Sequence, residues 1–102
     1  MQRFCVEVKV SLAVGAEEWA ALCEQALPVM RDLPGLEWKL WLFDEKARTG
    51  GGVYLFRDES SALAYADGPV LAALRGAGVG DVRVRTSPVM DQLSERTWAV
   101  RP

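Results

Sequence analysis

The stretch from Leu36 to Phe56 constrains the fold more than any other part of the chain, because it reads as two strands that are apolar on both faces. With a period of two, Leu36, Trp38, Leu40 and Leu42 fall on one side and Lys39, Trp41 and Phe43 on the other, the pattern of a strand covered twice. Val53 and Leu55 alternate in the same way with Tyr54 and Phe56. The link between the halves is polar and then glycine-rich, so it reads as a hairpin, with Gly50-Gly51-Gly52 as part of the turn. A hairpin of this kind needs two covers. Helices of the same chain can supply one, and a second copy of the chain is the simplest source of the other.

The flanking segments supply the helices. Residues 3 to 11 alternate, with Phe4, Val6, Val8 and Val10 on one side and Cys5, Glu7 and Lys9 on the other, as a first strand. From Ala16, the positions Trp19, Leu22, Cys23, Ala26, Leu27 and Met30 form a helical stripe, with a kink expected at Pro28. Leu33-Pro34-Gly35 ends that helix. After the hairpin, Asp58 is placed to cap a second helix, which Gly68-Pro69 must disturb before Val70, Leu71 and Leu74 resume an inward stripe. Gly76, Gly78 and Gly80 follow a helix rather than precede one, so they read as a cap and turn, not a phosphate loop. Val82 and Val84 alternate with Arg83 and Arg85 in a fourth strand, and residues 89–102 form a tail that docks on the domain or on a partner subunit.

The order strand, helix, strand, strand, helix, strand predicts an α+β, ferredoxin-like βαββαβ domain over residues 1–102, with a four-stranded antiparallel sheet. Its first and fourth strands are neighbours, which brings Glu7 and Lys9 near Arg83 and Arg85. The aliphatic strand residues are expected to face the helices, together with Trp38, Leu40, Leu42, Val53 and Leu55. Trp41, Phe43, Tyr54 and Phe56 then fall on the open face with the charges. Exposed, they would form a large apolar patch, so Trp41, Phe43, Phe56, Arg83 and Arg85 are expected at the interface of a twofold homodimer, sheet against sheet.

A chain of 102 residues with half its residues hydrophobic and a quarter charged can bury an ordinary core. Its net charge of -2 provides no field for phosphate backbones or anionic lipid, so neither nucleic acid nor membrane is expected as a partner. No apolar run of spanning length and no signal-peptide pattern is present, and the cytoplasm is the expected compartment. Cys5 and Cys23, the two cysteines, lie on opposite sides of the sheet in this reading and are expected as free thiols. The chain has no histidine, which removes imidazole bases, histidine triads and the usual zinc and iron ligand sets. No metal site is expected.

Three blocks resemble a known family: Pro34-Gly35-Leu36-x-Trp38-Lys39-x-Trp41, then Gly51-Gly52-Val53-Tyr54-Leu55-Phe56-x-Asp58-Glu59-x-Ser61-Ala62-x-Ala64-Tyr65, then Gly78-Val79-x-x-Val82. Across roughly residues 24 to 93 they are similar to the YdhR-type mono-oxygenases of the dimeric α/β-barrel superfamily. The resemblance implies a homodimer with facing sheets and a ligand cleft between sheet and helices in each subunit. In the family pattern a histidine often stands where this chain has Gly68-Pro69, so no role carries over from it.

The resemblance also implies a cofactor-independent mono-oxygenase acting on a phenolic or hydroquinone-like aromatic molecule, which needs an apolar cleft, a few donors and a proton acceptor. Trp38, Trp19 and Tyr65 are the expected substrate-binding residues, as flat walls with polar tips, and Tyr54 joins them if the faces of the hairpin are the reverse of those assigned above. No residue stands out as catalytic. The alternative is a non-catalytic small-molecule-binding or stress-response module using the same cleft.

Overall fold

The computed structural model describes residues 2–76 and 80–98. Along the chain, β1 (Phe4–Ser11) leads to α1 (Ala16–Arg31), then the hairpin β2 (Leu36–Asp44) and β3 (Thr49–Phe56). Two short helices, α2 (Glu59–Ala66) and α3 (Pro69–Arg75), precede β4 (Val82–Pro88) and a final turn of helix, α4 (Asp91–Glu95). The strands pair antiparallel in the order β2-β3-β1-β4, the ferredoxin-like arrangement. As expected, β1 and β4 are neighbours, and Glu7 lies opposite Arg85 and Lys9 opposite Arg83. The stretch 77–79, with Gly78, lies outside the described residues.

Local chemistry explains the helix boundaries. Helix α1 continues through Pro28 to Arg31, and Gly35, at φ 78, turns the chain into β2. Asp58 caps α2 by accepting a hydrogen bond from the Ser61 N–H at 2.9 Å. The expected disturbance at Gly68-Pro69 is a full break. Gly68 is extended as the N-cap of α3 and Pro69 occupies its first turn, where a missing N–H costs nothing.

The register overturns the expected faces of β2 and β3. Val6 lies opposite Tyr54 and Phe4 opposite Phe56, so both rings share the helix-covered face with the β1 valines. Lys39 pairs with Tyr54 and Trp41 with Gly52, which puts Lys39, Trp41 and Phe43 on that face as well. Trp38, Leu40, Leu42, Val53 and Leu55 accordingly lie on the opposite face, with Cys5, Glu7, Arg83 and Arg85. A register shift at Glu37 returns Leu36 to the helix side, opposite Phe56.

The core therefore joins Val6, Val8, Val10, Tyr54 and Phe56 of the sheet to Trp19 and Met30 of α1, Ala62 and Tyr65 of α2 and Leu71 of α3. Phe56 is 1% exposed within one chain, which removes it from any interface. The three glycines also depart from the expected turn. The turn is Asp44–Arg48, held by Ala47 N–H on Asp44 Oδ1 at 3.0 Å, and Gly50, Gly51 and Gly52 belong to β3. The described part of the tail docks on its own chain. Arg3 Nε donates to Glu37 Oε1 at 2.6 Å, its Nη1 reaches Asp91 and Glu95, and its guanidinium lies 5.2 Å from the Trp98 ring.

Candidate functional site

Glycines on one face of β3 create the site. Gly50 and Gly52 both point toward the helices, opposite Val10 and Val8. A Cβ at Gly50 would lie 2.6 Å from the Trp19 ring, and one at Gly52 would lie 2.7 Å from Lys39 Cε. Side chains that elsewhere would meet a neighbouring strand residue here settle over bare backbone. Beside the two side chains seated in this way lies a cavity of about 450 Å³ between α1, α3 and the sheet, walled by Val8, Trp19, Leu22, Ala26, Val70 and Leu74 among others. That size suits a small fused-ring ligand.

Few polar groups enter this apolar space. Lys39 projects from β2 with its Nζ 3.4 Å from the centroid of the Trp41 ring and 4.5 Å from that of Tyr54. The π faces are the amine's electrostatic partners, since no carboxylate lies within ion-pair reach of it among the described residues. Burial lowers the Lys39 pKa from 10.5 to about 8, with the nearby Cys23 pulling it partly back. Burial likewise pushes the Cys23 thiol up, against the opposing pull of Lys39.

On the same wall the Tyr54 and Tyr65 hydroxyls meet at 2.6 Å. Burial raises both phenols, and for Tyr54 its partner adds to the shift. Two hydroxyls bonded to each other use one proton between them, which leaves one O–H free to donate to a ligand oxygen. The site thus offers an amine of lowered basicity, a spare phenolic donor, a thiol and four aromatic side chains, Trp19, Trp41, Tyr54 and Tyr65. Among the described residues, no group of three or more Cys, Asp or Glu side chains is placed to hold a metal ion.

Comparison with known proteins agrees with this architecture. The family described as "Putative mono-oxygenase ydhR" matches residues 4–100. The chain belongs to the ydhR family. A similar solved structure is that of the NE2512 protein of unknown function from Nitrosomonas europaea, at 22% identity and a TM-score of 0.67, covering 88% of this chain and 91% of that one. That likeness supports the ydhR fold alone. No curated protein matches the sequence.

The fold brings three of the four expected ligand residues, Trp19, Tyr54 and Tyr65, to one cavity. Trp38 is not with them. It stands on the opposite face of the sheet, and its buried indole N–H finds no acceptor among the described residues. Trp41, expected at an interface, instead lines the cavity, and Phe43 shares its face. Lys39 was not singled out by the sequence. Its signal was a lysine flanked by Trp38 and Trp41 in an otherwise apolar strand, followed by glycines whose alternate members vacate the face it occupies. Among the described residues, no helix is long and apolar enough to cross a membrane.

Proposed function

We propose that this ydhR-family chain is a mono-oxygenase that oxidises a phenolic or hydroquinone-like aromatic molecule without a resident cofactor. The observation that carries the reading is the Lys39 amine, half-buried among aromatic faces in an otherwise apolar cavity, where burial lowers its pKa to about 8. An amine with a pKa of about 8 exchanges a proton readily near neutral pH. As an ammonium without a carboxylate partner it also favours an anionic ligand such as a phenolate.

Anthrone, whose enol is a phenol, is a substrate of this class. Lys39 takes the phenolic proton, and the electron-rich anion passes one electron to dioxygen, giving superoxide and a carbon-centred radical. These combine at the methylene carbon as a peroxide anion, which takes the proton back from the Lys39 ammonium. Loss of water from the hydroperoxide, using the remaining hydrogen on that carbon, leaves the carbonyl. The balance is anthrone plus dioxygen giving anthraquinone plus water, with every electron supplied by the substrate. The spare hydroxyl of the Tyr54–Tyr65 pair is suited to hold the substrate oxygen on which negative charge resides.

Oxygen uptake with anthrone and related hydroquinones tests the reading. The protein is expected to exceed the uncatalysed rate, and Lys39→Met to lower the gain by about a hundredfold, the scale of a lost proton-transfer group. Absence of acceleration across the panel, with ligands raising the Tm alone, would leave a binding module in place of an enzyme.

We propose further that two copies pair through the sheet face opposite the helices, the face that carries Leu40 and Leu42 at 43% and 47% exposure. Half-buried Trp38 and Val53 extend this apolar surface, and Arg83 and Arg85 border it on the far side of β1. A continuous apolar face of this kind favours burial against its twin.

A further inference from the structure

The chain contains three lysines, Lys9, Lys39 and Lys46. Lys9 and Lys46 are exposed, whereas Lys39 is half-buried, faces two aromatic rings and has no ion-pair partner among the described residues. The rings favour the ammonium, but burial without a carboxylate partner brings the neutral, nucleophilic state within closer reach than in water. The cavity above it has room for a fused-ring body, and the Tyr54–Tyr65 pair supplies a spare O–H on the same wall. We propose that Lys39 captures aromatic aldehydes and ketones in this cavity as an imine.

The step needs no oxidant. The neutral amine attacks the carbonyl carbon, forming a C–N bond as the carbonyl π bond opens onto oxygen. The oxygen takes a proton from the tyrosine pair, and the nitrogen gives one back to it, leaving a carbinolamine. Loss of the hydroxyl and the second nitrogen proton as water gives the imine. The lowered basicity of Lys39 supports this, because more of it is unprotonated at neutral pH. The inference depends on the cavity and the amine, and it stands whether or not the chain activates oxygen.

Trapping tests it. The full chain is incubated with 2-naphthaldehyde and cyanoborohydride at pH 7, and the modified lysines are mapped by peptide mass spectrometry. Lys39 is expected to be labelled at least about tenfold faster than Lys9 or Lys46, a ratio that one unit of pKa difference already supplies. Excess 2-naphthol, which cannot form an imine, is expected to slow labelling of Lys39 alone. Even labelling of the three amines, labelling confined to Lys9 and Lys46, or a Lys39 rate untouched by 2-naphthol would each overturn the proposal. Lys39→Arg, which keeps the charge, is expected to lose the fast adduct. The wild-type map decides the question even if that variant fails to fold.

Discussion

The Tyr54 and Tyr65 hydroxyls, 2.6 Å apart, tie the central strand β3 to helix α2 across the floor of the cavity. Their rings also lie 4.7 Å apart between centroids, so the pair is both packed and hydrogen-bonded. Tyr65→Phe keeps the ring but strands a buried Tyr54 hydroxyl. It is expected to cost about 1–3 kcal/mol in urea unfolding, because the orphaned group has lost water and gained nothing. The double variant with Tyr54→Phe is expected to recover part of that loss. Additive losses would show that the hydroxyls do not act as a pair.

Gly51 marks a different dependence. Its φ of 143° is open to glycine alone in practice, and a Cβ there would lie 1.9 Å from the Val8 carbonyl oxygen. Gly51→Ala must therefore part β1 from β3 as well as strain the backbone, and a loss of at least about 3 kcal/mol is expected in denaturant titration. A variant within 1 kcal/mol of the parent, on the order of a surface change, would mean that the strands approach less closely here.

The order of elements was legible because Phe4 to Val10 and Trp19 to Met30 carry unambiguous periods of two and of three to four. Their burial follows those periods, with Val6, Val8 and Val10 inside and Glu7 and Lys9 outside. The phase of the central hairpin was not legible. A strand that is apolar on both faces gives no hint of which face meets the helices, and a slip of one residue reverses every side chain. The shift at Glu37 removes even the internal consistency of β2, since Leu36 and Trp38 end on opposite faces. For that reason Trp38 and Lys39 exchanged roles. The paired glycines that seat Trp19 and Lys39 look like turn residues in the sequence, because three successive glycines usually mark a turn.

Lys39 should leave its mark on the pH dependence of stability. Its folded pKa of about 8 lies below the ordinary 10.5, so between those values the unfolded chain binds more protons than the folded one. Stability from this group is therefore lowest below pH 8 and rises as pH climbs toward 10.5. Lys39→Met removes the penalty, so its Tm advantage over the parent is expected to be largest at pH 7 and to shrink toward pH 9.5. The comparison stops there because the buried tyrosines act in the opposite sense. Their raised pKa values make stability fall once unfolded tyrosine begins to ionise near its ordinary value of 10. A Tm difference that stays level from pH 7 to 9.5 would mean that the amine is solvated like a surface lysine.

The open sheet face makes the last prediction. Leu40 and Leu42 are nearly half exposed in one chain, so replacing them should leave the fold intact. The same positions would lie within a sheet-on-sheet contact, where added charge must be desolvated against its own twofold copy and beside Lys9, Arg83 and Arg85. The parent is therefore expected to run as a dimer in light scattering at micromolar concentration. Leu40→Lys with Leu42→Lys is expected to halve that mass and leave the far-ultraviolet circular dichroism unchanged. A monomeric parent would refute the assembly, and a variant that remains dimeric would move the contact to another surface. Because Lys39 and the cavity lie on the helix side of the sheet, the monomeric variant is also expected to keep its ligand-induced rise in Tm, which separates assembly from binding.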